Sequence, residues 1–203
     1  LFMWLDGKAD YPKIDISNTF YSFTLSTTIE KKLTKNILAN NDYFFEYKWD
    51  GIRVQLVNVN SDTKIFSRNG EDITNSFPEI KVVSENLLVL DGELLVGKNF
   101  NVLGFGQLQK RINKKKPTKI LLEELPAFVK VYDILFIDGK DIRANKLSSR
   151  RKILEKWFTE KNKYNLEISK LIYYKSEDEL EKSYKKYPFI EGIMIKHKSS
   201  TYN

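Results

Sequence analysis

The 203-residue sequence contains no cysteine and a single histidine, His197. Without cysteine the chain forms neither disulfide bonds nor thiolate metal sites, a composition that suits a reducing compartment. No apolar run approaches the roughly 18 residues of a transmembrane helix, and no basic-then-apolar signal segment opens the sequence. We therefore expect a soluble intracellular protein, in the cytoplasm or nucleoid of a bacterium or in the nucleus of a eukaryote.

Acidic residues are in the minority, with 27 Asp and Glu against 34 Lys and Arg, which gives a formal net charge of +7. Such an excess of positive charge favours polyanionic partners, among which nucleic acid comes first. A genome of low GC content also enriches lysine, so charge alone leaves nucleic-acid binding open. Hydrophobic residues make up 41% of the chain, which is enough to bury a sizeable core.

The apolar pattern predicts an α+β domain with substantial antiparallel sheet. Alternating or continuous apolar residues indicate strands at 43–50, 52–60, 63–68, 87–96, 127–138, 171–176 and 189–198. Helical periodicity predicts helices at 27–41, 147–158 and 177–187, and a largely helical stretch at 104–126 that Pro117 interrupts. Residues 1–30 show no sustained period, and we interpret them as an irregular segment that leads into a domain spanning 31–203.

Three local signals refine this outline. Asp50-Gly51 lies between two predicted strands and is typical of a tight β-hairpin, since glycine tolerates positive φ. Asp138-Gly139 indicates a turn at the end of a buried strand. Ser148 is a candidate N-cap for the helix that follows it.

Charged residues recur inside strands that the apolar pattern marks as half buried. They lie in three clusters, Lys48 to Arg53, Asp91 to Glu93 and Glu191 to Lys196. An unpaired buried charge is costly, so an ordinary sheet would not place charges there repeatedly. If the strands converge, one cleft combines cations for phosphates, carboxylates for ribose hydroxyls and magnesium, and aromatic faces for a base. The clusters therefore predict a nucleotide site.

The same clusters carry the motifs of a known family. KWDGIR at 48–53 matches the K-x-D-G-x-R signature of covalent nucleotidyltransferases, and of ATP-dependent DNA ligases in particular. Further segments resemble the later motifs of this family in order: SRNG at 67–70, LDGEL at 90–94, VYDILFIDG at 131–139 and EGIMIK at 191–196. The resemblance implies an ATP-grasp-like nucleotidyltransferase domain in which antiparallel sheets are flanked by helices.

The resemblance assigns the central chemistry to Lys48. Its ε-amine would attack the α-phosphorus of ATP, expel pyrophosphate and carry AMP as a lysyl-adenylate. Arg53 would hold the ribose or orient the pocket. Glu46, two residues before the lysine on the same strand face, would recognise adenine near its exocyclic amine. Arg68 would contact the ribose or the 5′-phosphate of a nick.

The later motifs supply the remaining contacts to the nucleotide. Glu93 would accept hydrogen bonds from the ribose hydroxyls, whereas Asp91 would serve to fix the turn. Tyr132 takes the place of the aromatic residue, usually phenylalanine, that stacks on adenine, and it keeps the π-face. Lys196 would contact the α-phosphate. Glu191, together with Glu93, would support Mg²⁺, which suits an oxygen-rich site.

A further element lies between the third motif and the aromatic one. GFGQLQKRINKKK at 104–116 resembles the F-x-x-L-Q-x-R element of cellular DNA ligases, with Phe105, Leu108, Gln109 and Arg111. The lysines after it would track a phosphate backbone or form a solvated basic helix end. By resemblance the partner is nicked double-stranded DNA. His197 matches no family role, and we interpret it as incidental.

The resemblance also implies parts beyond this sequence. A fifth motif containing K-x-K and a C-terminal OB-fold would follow residue 203, and an N-terminal DNA-binding domain would precede the segment. We therefore expect an adenylation domain of a longer enzyme, truncated before the fifth motif. Because phosphoryl transfer depends on positioning and charge neutralisation, self-adenylation by the isolated piece would be weak or absent.

Two other interpretations stay open. An mRNA capping guanylyltransferase or an RNA ligase would use the same lysine chemistry, the former with GTP. A non-catalytic nucleic-acid-binding module would keep the basic surface and leave Lys48 dispensable. The FGQLQKR and EGIMIK segments favour a DNA ligase over both.

Overall fold

The computed structural model describes residues 19–29, 37–38, 40–112, 114–160, 165–174, 176–185 and 187–203. Its strands are β1 (Tyr43–Trp49), β2 (Ile52–Val59), β3 (Asp62–Ser67), β4 (Leu88–Lys98), β5 (Asn101–Val102), β6 (Ala127–Ile137), β7 (Lys140–Asp141), β8 (Leu166–Ile168) and β9 (Ile190–His197). Its helices are α1 (Phe105–Ile112), α2 (Lys119–Glu124), α3 (Leu147–Glu160) and α4 (Glu177–Lys185), and Thr74–Ser76 form a 3-10 turn.

The strands form two sheets. One has seven strands with the order β3-β2-β4-β6-β7, in which β5 also pairs with β4 and β8 with β6. The other consists of β1 and β9. The β6–β8 pair is parallel, and the remaining pairs are antiparallel. This arrangement confirms the predicted α+β class with substantial antiparallel sheet.

The Asp50-Gly51 dipeptide joins β1 to β2, but the predicted hairpin is wrong. In the described chain β1 pairs with β9, whereas β2 pairs with β3 and β4. Glycine is required here by close packing: a Cβ atom at Gly51 would lie 2.5 Å from the carbonyl oxygen of Leu94 and 2.7 Å from Cδ2 of Leu95. The dipeptide is therefore the point where the chain crosses from one sheet to the other.

Apolar side chains cover both faces of the larger sheet. On β4, Leu88 and Leu90 point into a cluster that includes Leu154 and Trp157 of α3. The alternate residue Val89 points into a second cluster with other buried side chains. That second cluster comprises Val57, Phe66, Leu87, Val89, Leu135, Phe136 and Tyr202, with Phe20, Tyr21, Phe23 and Val59 packed against it. The described part of the leading segment therefore packs on the sheet.

Two local predictions are confirmed. Asp138 and Gly139 have φ values of 50° and 77° and connect β6 to β7, as a tight hairpin requires. The stretch at 104–126 forms two helices, α1 and α2, on either side of Pro117. Thr118 caps the second helix, since its hydroxyl accepts a hydrogen bond from the amide of Leu121.

Two other local predictions are wrong. Ser148 does not precede its helix, because α3 begins at Leu147, and the amide of Ser148 donates to the carbonyl of Lys198 over 2.9 Å. Of the segment 171–176, the described residues 171–174 and 176 contribute one bridge, between Leu171 and Glu46, and form no strand. Its Tyr173 is 86% exposed, so the apolar alternation there does not reflect burial.

Of the predicted helix at 27–41, residues 37 and 38 are helical, while 30–36 and 39 lie outside the described residues. No helix in the described parts of the chain is both long and apolar enough to span a membrane.

Candidate nucleotide site

All the residues predicted for the site line one cavity of about 630 Å³. They are Glu46, Lys48, Arg53, Arg68, Glu93, Tyr132, Glu191 and Lys196. Strands β1 and β9 supply one wall, and β2, β4 and β6 of the larger sheet supply another, so the cavity lies between the two sheets. Its volume is within the range of small-molecule sites.

Lys48 stands beside a β-bulge. Lys48 pairs with Gly192 and Trp49 pairs with Ile190, so Glu191 is the extra residue of the β1–β9 ladder. Its carboxylate forms an ion pair with Nζ of Lys48. The two side chains are 46% and 45% exposed, respectively, so the amine is accessible from the cavity. Bulges commonly re-aim side chains next to active sites, and this one places a carboxylate at the lysine.

Glu46 and Lys196 form a second pair in the cavity. Nζ of Lys196 donates to Oε1 of Glu46 over 2.9 Å, and the Glu46 side chain is only 3% exposed. Oε2 of Glu46 has no hydrogen-bond partner among the described residues. The same ammonium lies 4.3 Å from the ring centroid of Tyr132, within cation–π range. A buried acceptor, a cation and an aromatic ring therefore meet at one place.

Tyr132 also lies at a bulge. Asp91 pairs with Asp133 and Gly92 with Val131, which leaves Tyr132 as the extra residue of β6. Burial, and then the Asp91 carboxylate, raise the pKa of Tyr132 well above its ordinary value, so the phenol is neutral. The cavity thus has an uncharged aromatic wall.

Arg53 is held in place by Asp91. Nε and Nη2 of Arg53 donate to the two carboxylate oxygens over 3.2 and 2.7 Å, and Nη1 donates to the carbonyl of Thr24 over 2.7 Å. Although burial lowers the pKa of Arg53, its hydrogen bonds to Asp91 raise that pKa above the ordinary value. Asp91 is fully buried, so it orients the arginine rather than serving only to fix a turn.

Glu93 lies opposite Arg53 in the β2–β4 ladder. Burial, and then the Asp91 charge, raise the pKa of Glu93 from 4.5 to about 8, while Arg53 and Lys48 act in the opposite direction. Near neutral pH this carboxyl is therefore largely protonated until a further cation approaches. A cation that bound beside this carboxyl would lower its pKa and favour the carboxylate form.

The remaining predicted residues lie at the rim. Arg68 is exposed and reaches the cavity from the end of β3. His197, which we interpreted as incidental, also lines the cavity, and its Nδ1 lies 2.7 Å from Oγ of Ser199.

Three further cavity residues escaped the sequence analysis. The hydroxyl of Tyr202 donates to Oδ2 of Asp91 over 2.8 Å, across 111 residues of sequence. Arg150 forms a two-pronged pair with Asp133, with distances of 2.9 and 2.8 Å. Thr24 offers the carbonyl that Arg53 uses. No local pattern marks these residues, because their partners are distant in sequence.

The element at 104–116 divides into a buried and an exposed part. Arg111 is fully buried, and its guanidinium donates to both carboxylate oxygens of Glu79 over 2.8 and 3.1 Å. It also donates to the carbonyls of Leu125 and Ser76. Lys110 and residues 114–116 are exposed. Arg111 is therefore structural, and only the lysines are available to a polyanion.

Comparison with known proteins places these features in a family. A model described as the ATP dependent DNA ligase domain matches residues 24–203. The chain therefore belongs to this family of ATP-dependent DNA ligase domains.

Individual relatives agree with this assignment. A DNA ligase of Methanococcus aeolicus is 36% identical over 166 residues, which cover 78% of this chain and 29% of that protein. A DNA ligase of Archaeoglobus fulgidus is 35% identical over 163 residues, with 77% and 29% covered. A mycobacterial DNA ligase D complexed with ATP and MES superposes with a TM-score of 0.63 at 25% identity, covering 79% of this chain and 50% of that one. The chain thus spans less than a third of the length of these curated relatives.

Proposed function

We propose that this chain is the adenylation domain of an ATP-dependent DNA ligase, with Lys48 as the nucleophile. The nitrogen of Lys48 forms a bond to the α-phosphorus of ATP, the bond from that phosphorus to the bridging oxygen breaks, and pyrophosphate leaves. The observation that carries the proposal is the half-exposed amine of Lys48 in a cavity lined by the charged residues of every motif. The ammonium would first lose its proton to solvent, and Glu191, which pairs with it, would hold the side chain in the cavity.

The nucleotide would lie with its base against Tyr132. Oε2 of Glu46 is buried and has no partner among the described residues, so it is free to accept a hydrogen bond from the exocyclic amine of adenine. Lys196, beside the same ring, would contact the α-phosphate. These contacts favour adenine, which presents a donor where guanine presents an acceptor.

The sugar and the nick would be contacted from the opposite wall. Arg53, fixed by Asp91, faces the ribose together with Glu93, which would accept hydrogen bonds from the hydroxyls. Arg68 at the rim would contact the ribose or the 5′-phosphate of the nick. This wall would therefore contact both the nucleotide and the DNA.

Magnesium fits the donor set of this cavity. The described residues contain no cluster of three or more metal-ligating side chains. Glu93 and Glu191 would therefore hold Mg²⁺ with phosphate and water oxygens completing its shell, which is how proteins usually bind this ion. Burial raises the pKa of Glu93, and a cation bound beside it would favour its carboxylate form. When bound, Mg²⁺ would neutralise negative charge on the phosphates.

The later steps require the longer enzyme. AMP would pass from Lys48 to the 5′-phosphate of nicked double-stranded DNA, and the 3′-hydroxyl would then displace AMP and seal the strand. We assign residues 31–203 to the adenylation domain and 1–30 to the segment that leads into it, with an OB-fold and an N-terminal DNA-binding domain as partners in the same polypeptide. The family match covers residues 24–203, so it includes all of 31–203 and also the end of the segment 1–30.

The test is the intact mass of the full-length protein after incubation with Mg²⁺ and either ATP or GTP. We expect an AMP adduct with ATP only, lost in Lys48→Ala and kept in Lys140→Ala, a control at an exposed lysine of β7. Lys48→Ala should still seal a nick that is already adenylated, because that step does not use the lysine. A GMP adduct, or no adduct on the full-length chain, would overturn the proposal.

A further inference from the structure

Tyr202 lies outside every motif, yet it reaches the centre of the site. The residue is 7% exposed, and its ring packs in the second apolar cluster beside Phe66 and Phe136. Its hydroxyl donates to Oδ2 of Asp91 over 2.8 Å. The ring therefore anchors the residue, and the hydroxyl is its only polar function in the cavity wall.

Asp91 depends on its donors. Its carboxylate is fully buried and receives two hydrogen bonds from Arg53 and one from Tyr202. A buried carboxylate is stable only when hydrogen-bonded, so loss of one donor changes how it sits. Both Nη2 of Arg53 and the Tyr202 hydroxyl meet the same oxygen, Oδ2. A longer contact of 3.5 Å also joins Nη2 of Arg53 to the Tyr202 hydroxyl, so the orientation of the arginine is coupled to the tyrosine.

The backbone places Tyr202 firmly at this point. Its amide donates to the carbonyl of Arg143 over 2.9 Å. Two residues earlier, the carbonyl of Ser200 accepts a hydrogen bond from the amide of Leu147 at the start of α3, over 2.8 Å. The amide of Asn203 donates to Oγ1 of Thr24, beside the carbonyl that holds Arg53. The segment after β9 is thus fixed on both sides of the tyrosine.

We propose that Tyr202 is a positioning residue for nucleotide binding, whose hydroxyl orients the Arg53 guanidinium through Asp91. The inference rests on the proposed function, because it assigns Arg53 to the ribose of ATP. Without the hydroxyl, Asp91 and Arg53 shift together and the ribose contact weakens. The ribose contact is made when ATP binds as well as during transfer, so the effect of Tyr202 falls mainly on binding.

The experiment measures the rate of AMP-adduct formation against ATP concentration in full-length Tyr202→Phe. We expect the half-saturating ATP concentration to rise roughly 5- to 20-fold, since a hydrogen bond to a charged group is lost. The maximal rate should change by less than about 3-fold. Tyr174→Phe is the matched control: this tyrosine is partly buried against Phe45, does not line the cavity, and should leave both quantities unchanged.

A double-mutant cycle separates positioning from simple packing. If Tyr202 acts through Asp91, adding Tyr202→Phe to Asp91→Asn should have little further effect on the half-saturating concentration. The inference would be overturned if the two substitutions had multiplicative effects on the half-saturating ATP concentration. It would also be overturned if Tyr202→Phe left that concentration unchanged. Either result would leave the proposed function standing. A wild-type chain that forms no adduct would overturn both.

Discussion

Nζ of Lys196 lies 2.9 Å from Oε1 of Glu46, although 150 residues separate the two in sequence. The pair bridges β9 and β1, and its carboxylate is almost completely buried. A buried charge of this kind is stable only while its partner is present. The stability of the fold therefore depends on two side chains that also line the cavity.

Removal of the ammonium should destabilise the protein. We expect Lys196→Met to lower the free energy of unfolding by about 2 kcal/mol, because Glu46 is left buried without its cation. Adding Glu46→Gln should restore most of that loss, since a neutral amide tolerates burial better. Urea unfolding of the three proteins measures both effects. Lys156→Met, which breaks an exposed pair on α3, is the control and should change little.

Stability should depend on pH through Glu93. Its pKa is about 8 in the folded protein against an ordinary 4.5, so the folded state binds the additional proton between these values. Binding of this proton stabilises the folded state fully below pH 4.5, and this stabilisation is lost as the pH rises through 8. The free energy of unfolding should fall across this range by up to ~1 kcal/mol per pH unit. Glu93→Gln should remove this slope, as measured by urea unfolding at several pH values.

The matched control for that substitution is Glu123→Gln, at a side chain of α2 that is 66% exposed. Its pH profile should follow that of the wild type. Parallel profiles for Glu93→Gln and the wild type would show that Glu93 titrates normally in the folded state.

Gly51, where the chain crosses from one sheet to the other, should not tolerate a larger residue. In Gly51→Ala the new Cβ atom would lie 2.5 Å from the carbonyl oxygen of Leu94, so we expect a loss of about 2 kcal/mol in the free energy of unfolding. Gly106→Ala is the control: it lies in α1 with no described atom within 4 Å of its Cβ position. That substitution should stabilise by about 0.5–1 kcal/mol, and equal effects of the two would contradict the packing argument.

Substitutions in the basic element at 104–116 should affect either folding or DNA binding, depending on the residue. Arg111→Met removes the cation that pairs with Glu79 and leaves this carboxylate the amide of Ala127, so we expect a loss of about 3 kcal/mol in unfolding free energy. Lys115→Met, at an exposed position, should leave stability unchanged. In the full-length protein it should weaken DNA binding and reduce the salt slope by about one. A stable Arg111→Met with weakened DNA binding would reverse these roles.

The sequence predicted the site better than the connections around it. Motif residues such as Lys48, Glu93 and Glu191 carry charge at positions where burial must be compensated, and they line one cavity, as expected if their strands converge. The sequence did not predict how these side chains are oriented. Both Glu191 and Tyr132 stand at bulges, which depend on how two strands pair rather than on either strand alone.

The errors have the same origin. Asp50-Gly51 favours a turn locally, but the partner of β1 is β9, and no pattern within 44–57 encodes that pairing. Ser148 is a good N-cap residue, but the backbone of the segment after β9 supplies acceptors for the first amides of α3. Tyr202 escaped notice because its hydroxyl acts on Asp91, which is 111 residues away.

The pairing of the first strand with the last has a consequence for biosynthesis. Lys48 and Glu46 leave the ribosome long before Glu191 and Lys196, so a nascent chain that ends before residue 190 lacks the β9 half of one cavity wall. The larger sheet contains no residue of β1 or β9 and is available to collapse earlier. Closure of the small sheet is a contact of long sequence separation, which makes it a late step. If the proposed function is right, nucleotide capture requires β9, and a ribosome-bound intermediate that lacks this strand would hold Lys48 in an incomplete site.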